Sequence, residues 1–180
     1  MFLLRAGFHG KTSHFDENMR DIVNQVYIEG MNLVESVVYS DTFKISNLNT
    51  MNIPEKFNGI KYLTYFCSTI GSEIDDRIDD YQNRGEILRA SLLDAWGSES
   101  VEEINNQYDI LLRRKYGEGT MRFSPGYGEV SLLENIKIIA LLNAEKISAH
   151  IKSGVLIPQK STVCMIGWYS NTLMEEMNDR

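Results

Sequence analysis

The sequence predicts an α+β domain, with helices packed on a sheet rather than alternating with its strands. Three observations carry this. Hydrophobic residues make up 43% of the 180-residue chain and charged residues 24%, enough to build a core and far from the composition of disordered chains. Segments of helical period and segments of strand chemistry both occur, but they do not alternate as regular β-α-β units. No repeat or low-complexity linker divides the chain, and 180 residues is one ordinary domain in size. A single domain over 1–180 is expected, with a helical N-terminal part over about 1–40.

From Asp16 to Val38, apolar residues at Met19, Ile22, Val23, Val26, Tyr27, Leu33, Val34, Val37 and Val38 predict a helix of more than five turns. Asp41 to Ser46 alternates as a half-buried strand does, and Asn47 to Asn58, with Pro54, reads as a loop. Lys61 to Ser68, rich in aromatic and β-branched residues, predicts a buried central strand. Ser72 and Asp75 have N-cap spacing for a helix with Ile74, Ile78 and Tyr81 inward, ending near Gly85. A long helix should run from Glu86 towards Tyr116 with Leu88, Leu92, Ala95, Val101, Ile104, Tyr108, Leu111 and Leu112 inward. Gly97 interrupts it, as a break or as a close approach by another element. Met121 to Phe123 reads as a short strand and Ser124 to Gly128 as a constrained turn. Ser131 to Glu134 has capping-box spacing for a helix through Leu142 or Ala149, and Val155 to Tyr169 reads as strands around Pro158.

Charge and cysteine usage exclude several functions. With 18 Lys plus Arg against 25 Asp plus Glu, the net charge is −7, which argues against a nucleic-acid partner. Arg113, Arg114 and Lys115 read as the cationic last turn of a helix. No apolar run is long enough to span a membrane, and Met1 to Leu4 is too short for a signal peptide, so a cytoplasmic protein is expected. Cys67 and Cys164 read as buried reduced thiols, with a disulfide as the alternative, and His9, His14 and His150 offer no zinc-ligand spacing. The acids Glu73, Asp75, Asp76, Asp79 and Asp80 read as a solvated helix face, with a cation site as the alternative. No Walker loop, nucleophile elbow, zinc-protease motif or Cys/His pair is present, so no catalytic residue is assigned.

The densest candidate for chemistry is Arg122-Phe123-Ser124-Pro125-Gly126-Tyr127-Gly128. Glycines beside an aromatic residue let backbone approach a ligand, Tyr127 offers a stacking face, and Arg122 supplies a fork that matches a carboxylate or phosphate. The alternatives are a plain Pro-Gly turn and an Arg122 paired with a surface carboxylate.

These residues resemble the R-x-x-P-G-Y signature of the activation (reactivation) domain of cobalamin-dependent methionine synthase. The resemblance extends to Leu4–Gly10, to Thr69–Ser72 with Arg77, to Leu93–Ser98 with Val101 and Glu102, and to Leu156–Ser161, as in the small stand-alone proteins of that family. It implies a single α+β domain whose curved, mixed or antiparallel sheet carries helices packed against it. It implies an S-adenosylmethionine site in which Arg122 holds the ligand carboxylate, Ser124 and Gly126 give main-chain contacts, Tyr127 lines the pocket and Glu102 is the pocket glutamate. In the family the domain supports reductive methylation of cob(II)alamin in methionine biosynthesis. This chain has no D-x-H-x-x-G corrinoid motif, so the cobalamin is expected on a partner chain, a corrinoid-binding methyltransferase subunit, with flavodoxin or another one-electron donor. The other readings are service to a different corrinoid methyltransferase, and a docking protein that no longer binds the ligand.

Overall fold

The computed structural model describes residues 2–8 and 16–169; His9 and His14 lie outside them. The elements are α1 (Phe2–Arg5), α2 (Glu17–Leu33), β1 (Val37–Lys44), β2 (Tyr62–Thr69), α3 (Glu73–Asn83), α4 (Ile87–Tyr116), α5 (Glu134–Leu141), β3 (Ser148–Ala149), β4 (Leu156–Ile157) and β5 (Ser161–Trp168). The fold is α+β, with an antiparallel sheet in the order β1-β2-β5 and a small β3-β4 hairpin.

β2 is central, and all eight of its residues are buried. Strand alternation divides its side chains between two layers. Leu63, Tyr65 and Cys67 meet Val163 and Met165 of β5 on one face, beneath Ile138 of α5 and the Leu48 and Phe57 loop. Tyr62 and Phe66 meet Cys164, Ile166 and Trp168 on the other, beneath Leu112 and Tyr116 of α4. A third cluster joins α2, α3 and α4 through Val26, Ile74, Ile78, Leu92 and Trp96. The two cysteines sit on opposite sheet faces, both as free buried thiols.

Several boundaries differ from the sequence expectations. The helix expected over 16–38 stops at Leu33, because Val34 is extended and Val37 and Val38 pair with Thr69 and Ser68. Leu33, Val34, Val37 and Val38 satisfy helical and strand patterns alike, and the β2 ladder decides between them. α4 passes unbroken through Gly97, where an added Cβ would lie 3.2 Å from both Ile74 and Lys160, so the glycine serves close approach. Leu88 and Leu111, expected inward, are exposed; the inward face here is Val101, Asn105, Leu112 and Tyr116. No capping box forms at 131–134: the Ser131 hydroxyl accepts from Leu133 N, and Glu134 accepts instead from Asn52 and Lys137. α5 ends at Leu141, and Ser148 and Ala149 belong to β3. Ser72 precedes α3 without a side-chain cap bond.

Candidate functional site

Segment 119–123 runs beside the outer edge of β5 without becoming a strand. Isolated bridges join Gly119 to Trp168 and Phe123 to Met165, and Phe123 and Met165 exchange both backbone bonds, at 3.0 and 2.7 Å. The pairing then ends. Two residues on is Pro125, which has no N–H to continue a ladder, and Gly126 follows with φ +94°, a left-handed turn conformation that suits glycine. The chain peels away from β5, and the edge from Ser161 to Cys164 faces a cavity instead. Met165 uses both backbone groups toward this edge, so alternation turns those of Val163 the same way.

The cavity encloses about 1230 Å³, above the usual 300–1,000 Å³ or so of a small-molecule site. Its walls form two sets. One comprises Glu102 and Asn105 of α4, Arg122 and Ser124, and Ser161 to Cys164. The other comprises Pro125, Tyr127, Leu132, Asn135 of α5, and His150, Ser153 and Val155 to Ile157 around the β3-β4 hairpin.

The first set carries the charge. Arg122 pairs with Glu102 and donates from its second terminal nitrogen to Asn106 Oδ1 at 3.2 Å. The expected carboxylate-binding arginine and pocket glutamate therefore face each other across the wall. The Arg122 side chain is the more enclosed, 18% exposed against 45% for Glu102, so the guanidinium is held while the carboxylate stays partly in water. With Glu102 partly in water the pair is close to the exposed case, worth about 0–1 kcal/mol, so Arg122 can exchange partners at little cost. Behind them, Asn105 Oδ1 accepts from Ser68 at 2.7 Å and Thr162 at 3.0 Å, tying α4 to the sheet.

Ser124 lines the cavity with its hydroxyl 3.5 Å from Cys164 Sγ. Burial pushes the Cys164 thiol above its ordinary pKa, so it presents a neutral S–H rather than a nucleophile. Tyr127 stands at the mouth, 70% exposed. Gly126 shapes the turn: its N–H donates to Val130 O at 2.8 Å, and Gly126 itself is not among the residues that line the cavity.

Of the second wall, sequence reasoning reached Pro125 and Tyr127 and missed Asn135 and His150. His150 lies in the hairpin turn with Nδ1 3.1 Å from Ser153 Oγ. Asn135 sits beneath that hairpin and donates to Gly154 O at 2.9 Å. Neither has a local motif, since both reach the cavity through contacts distant in sequence. Lys56 also lines it, its ammonium 4.2 Å from the centre of the Phe123 ring.

The acidic run on α3 is used structurally at two points: Asp75 accepts from Gln159 N at 2.6 Å and Asp80 pairs with Arg84. Among the described residues no group of three or more His, Cys, Asp and Glu side chains gathers to hold a metal. No helix among them is long and apolar enough to cross a membrane.

Fold and site together define an α+β domain with a roomy edge-strand cavity, charged on one wall and largely apolar on the other. No family model matches the chain, and no curated protein matches it. Among solved structures it is similar to the crystal structure of the MetH reactivation domain bound to AdoHcy, at 13% identity over 93% of this chain and 72% of that one, with a TM-score of 0.49. A likeness of that size assigns no residue of this chain a role.

Proposed function

We propose that the cavity binds S-adenosylmethionine and that the chain is a reactivation module for a cobalamin-dependent methyltransferase, foremost a methionine synthase. The observation that carries the reading is the Arg122–Glu102 pair on the wall of a cavity also lined by Ser124 and Tyr127. The ligand has a carboxylate, an ammonium and a sulfonium at one end and an uncharged base at the other. A wall with one arginine and one glutamate answers the charged end in sign, and the apolar wall suits the base.

On binding, the ligand carboxylate would take the Arg122 fork from Glu102, and Glu102 would turn to the ammonium. One ion pair within the chain is thereby exchanged for two between chain and ligand. Tyr127 at the mouth would give the sulfonium an aromatic face, on the order of 0.5–2 kcal/mol. The chain's own contribution is positioning: it fixes the amino-acid end and leaves the methyl directed outward. A corrinoid held by a partner methyltransferase subunit would receive that methyl after one-electron reduction by flavodoxin or a similar donor.

A pair of ligands tests the role of Arg122. S-adenosylhomocysteine carries the carboxylate; its decarboxylated analogue, S-adenosyl-3-thiopropylamine, keeps the ammonium and lacks the carboxylate. A charge-assisted hydrogen bond is worth about 1.5–3 kcal/mol, or about tenfold to a hundredfold in Kd. Wild type should prefer S-adenosylhomocysteine by about that factor, and Arg122→Ala should abolish the preference. A preference unchanged in Arg122→Ala would refute the assignment.

A further inference from the structure

Asn135 is buried, 3% exposed, and lines the apolar wall of the cavity. Its Nδ2 donates to Gly154 O at 2.9 Å. A carbonyl only accepts, so this bond fixes which way round the amide sits. Oδ1 is then an obligate acceptor, and it has no hydrogen-bond partner among the described residues. Buried side-chain acceptors are normally satisfied, and one left unpaired beside a ligand cavity calls for a donor from outside the chain.

The surroundings narrow the donor's chemistry. Pro125, Leu132, Val155, Leu156 and Ile157 supply apolar surface suited to a flat, uncharged ring. Such a slot by itself barely separates rings that differ in one polar substituent, whereas a fixed buried acceptor separates a donor from another acceptor strongly. The geometry points to Asn135 as the residue that selects a heterocycle bearing an exocyclic amino group, the 6-amino group of adenine, and rejects the 6-oxo analogue. This rests on the adenosyl-ligand reading above and adds to it the residue that reads the base. Arg122 takes no part in this selection. Oδ1 is shielded from solvent in the free protein, so the amino group reaches it only as neighbouring side chains give way with the Asn135–Gly154 bond kept.

Calorimetric titration of the full chain with S-adenosylhomocysteine and S-inosylhomocysteine tests this without any substitution. The two ligands share the amino-acid and ribose portions and differ at the 6-position. Wild type should bind the amino ligand about tenfold to a hundredfold more tightly, the range for a buried acceptor left unpaired. Asn135→Ala, checked for folding by circular dichroism, should narrow that ratio towards one. Equal affinities in wild type would overturn the inference while leaving the adenosyl reading standing. A ratio undiminished in folded Asn135→Ala would likewise overturn it alone, and binding of neither ligand would overturn both.

Discussion

Replacing Gly154 by Ala should unfold the chain at a much lower temperature than the loss of one glycine elsewhere. Gly154 has φ +73° in the turn of the β3-β4 hairpin, and its N–H donates to His150 O at 2.7 Å. An added Cβ would lie 2.3 Å from Leu132 O, 2.5 Å from Leu132 C and 2.9 Å from Leu133 N. These are backbone atoms, so no rotamer change relieves the overlap. The left-handed conformation costs a residue with a Cβ about 1–2 kcal/mol. Moving the turn off Leu132 would strain or break the Asn135–Gly154 bond, at about 1–3 kcal/mol for buried groups left unpaired. The total of about 2–5 kcal/mol corresponds to a fall of about 4–20 °C in Tm, at about 2–4 °C per kcal/mol for a chain of this size. Gly85→Ala is the control. Gly85 has φ +75° but an added Cβ meets nothing within 4 Å, so only the conformational cost of about 1–2 kcal/mol applies. Thermal unfolding followed by circular dichroism measures both. If Gly154→Ala proved no less stable than Gly85→Ala, the packing of the hairpin on Leu132 would be wrong.

Two further predictions concern titrating groups. Burial raises the Asp75 carboxyl above its ordinary value, outweighing the lowering by the Gln159 amide and Lys160. The folded state then holds this proton to higher pH than the unfolded chain does, and its contribution to stability is lost as pH rises from about 4. Asp75→Asn keeps an acceptor for the Gln159 N–H, so its stability should gain on wild type between about pH 4 and 7; parallel stability-against-pH curves would count against this. The Cys67 thiol is pushed up to about 12 by burial, and burial also raises Cys164. Near pH 8 a thiol of pKa 12 is ionised to about one part in ten thousand. Neither cysteine should react with an aromatic disulfide reagent in the native state on the timescale that labels the urea-unfolded chain, and rapid native labelling of either would contradict their placement.

Local chemistry made most of the fold legible. The aromatic and β-branched run at 62–69 is the central strand, the period of 87–116 is one helix, and the turn after Phe123 lies where Pro125 and Gly126 predict it. What sequence could not decide was competition between equally good local patterns. Val37 and Val38 fit a helix face and a strand face, and only the pairing with Ser68 and Thr69 distinguishes them. The 131–134 capping pattern failed for a related reason: Glu134 found a better partner in Asn52, 82 residues away. The cavity divides similarly. Its charged wall was visible as a motif, because Arg122 and Ser124 are close in sequence and Glu102 lies on a strongly periodic helix. Of its apolar wall only Pro125 and Tyr127 were visible, because Asn135 and His150 arrive there only through the packing of α5 and the hairpin.

Calorimetric titration of the wild-type chain with S-adenosylmethionine tests the central claim most directly. The account predicts saturable one-to-one binding in the micromolar range, with a thermal midpoint that rises as ligand is added beyond its Kd. No heat of binding and no rise in the midpoint at millimolar ligand would contradict it.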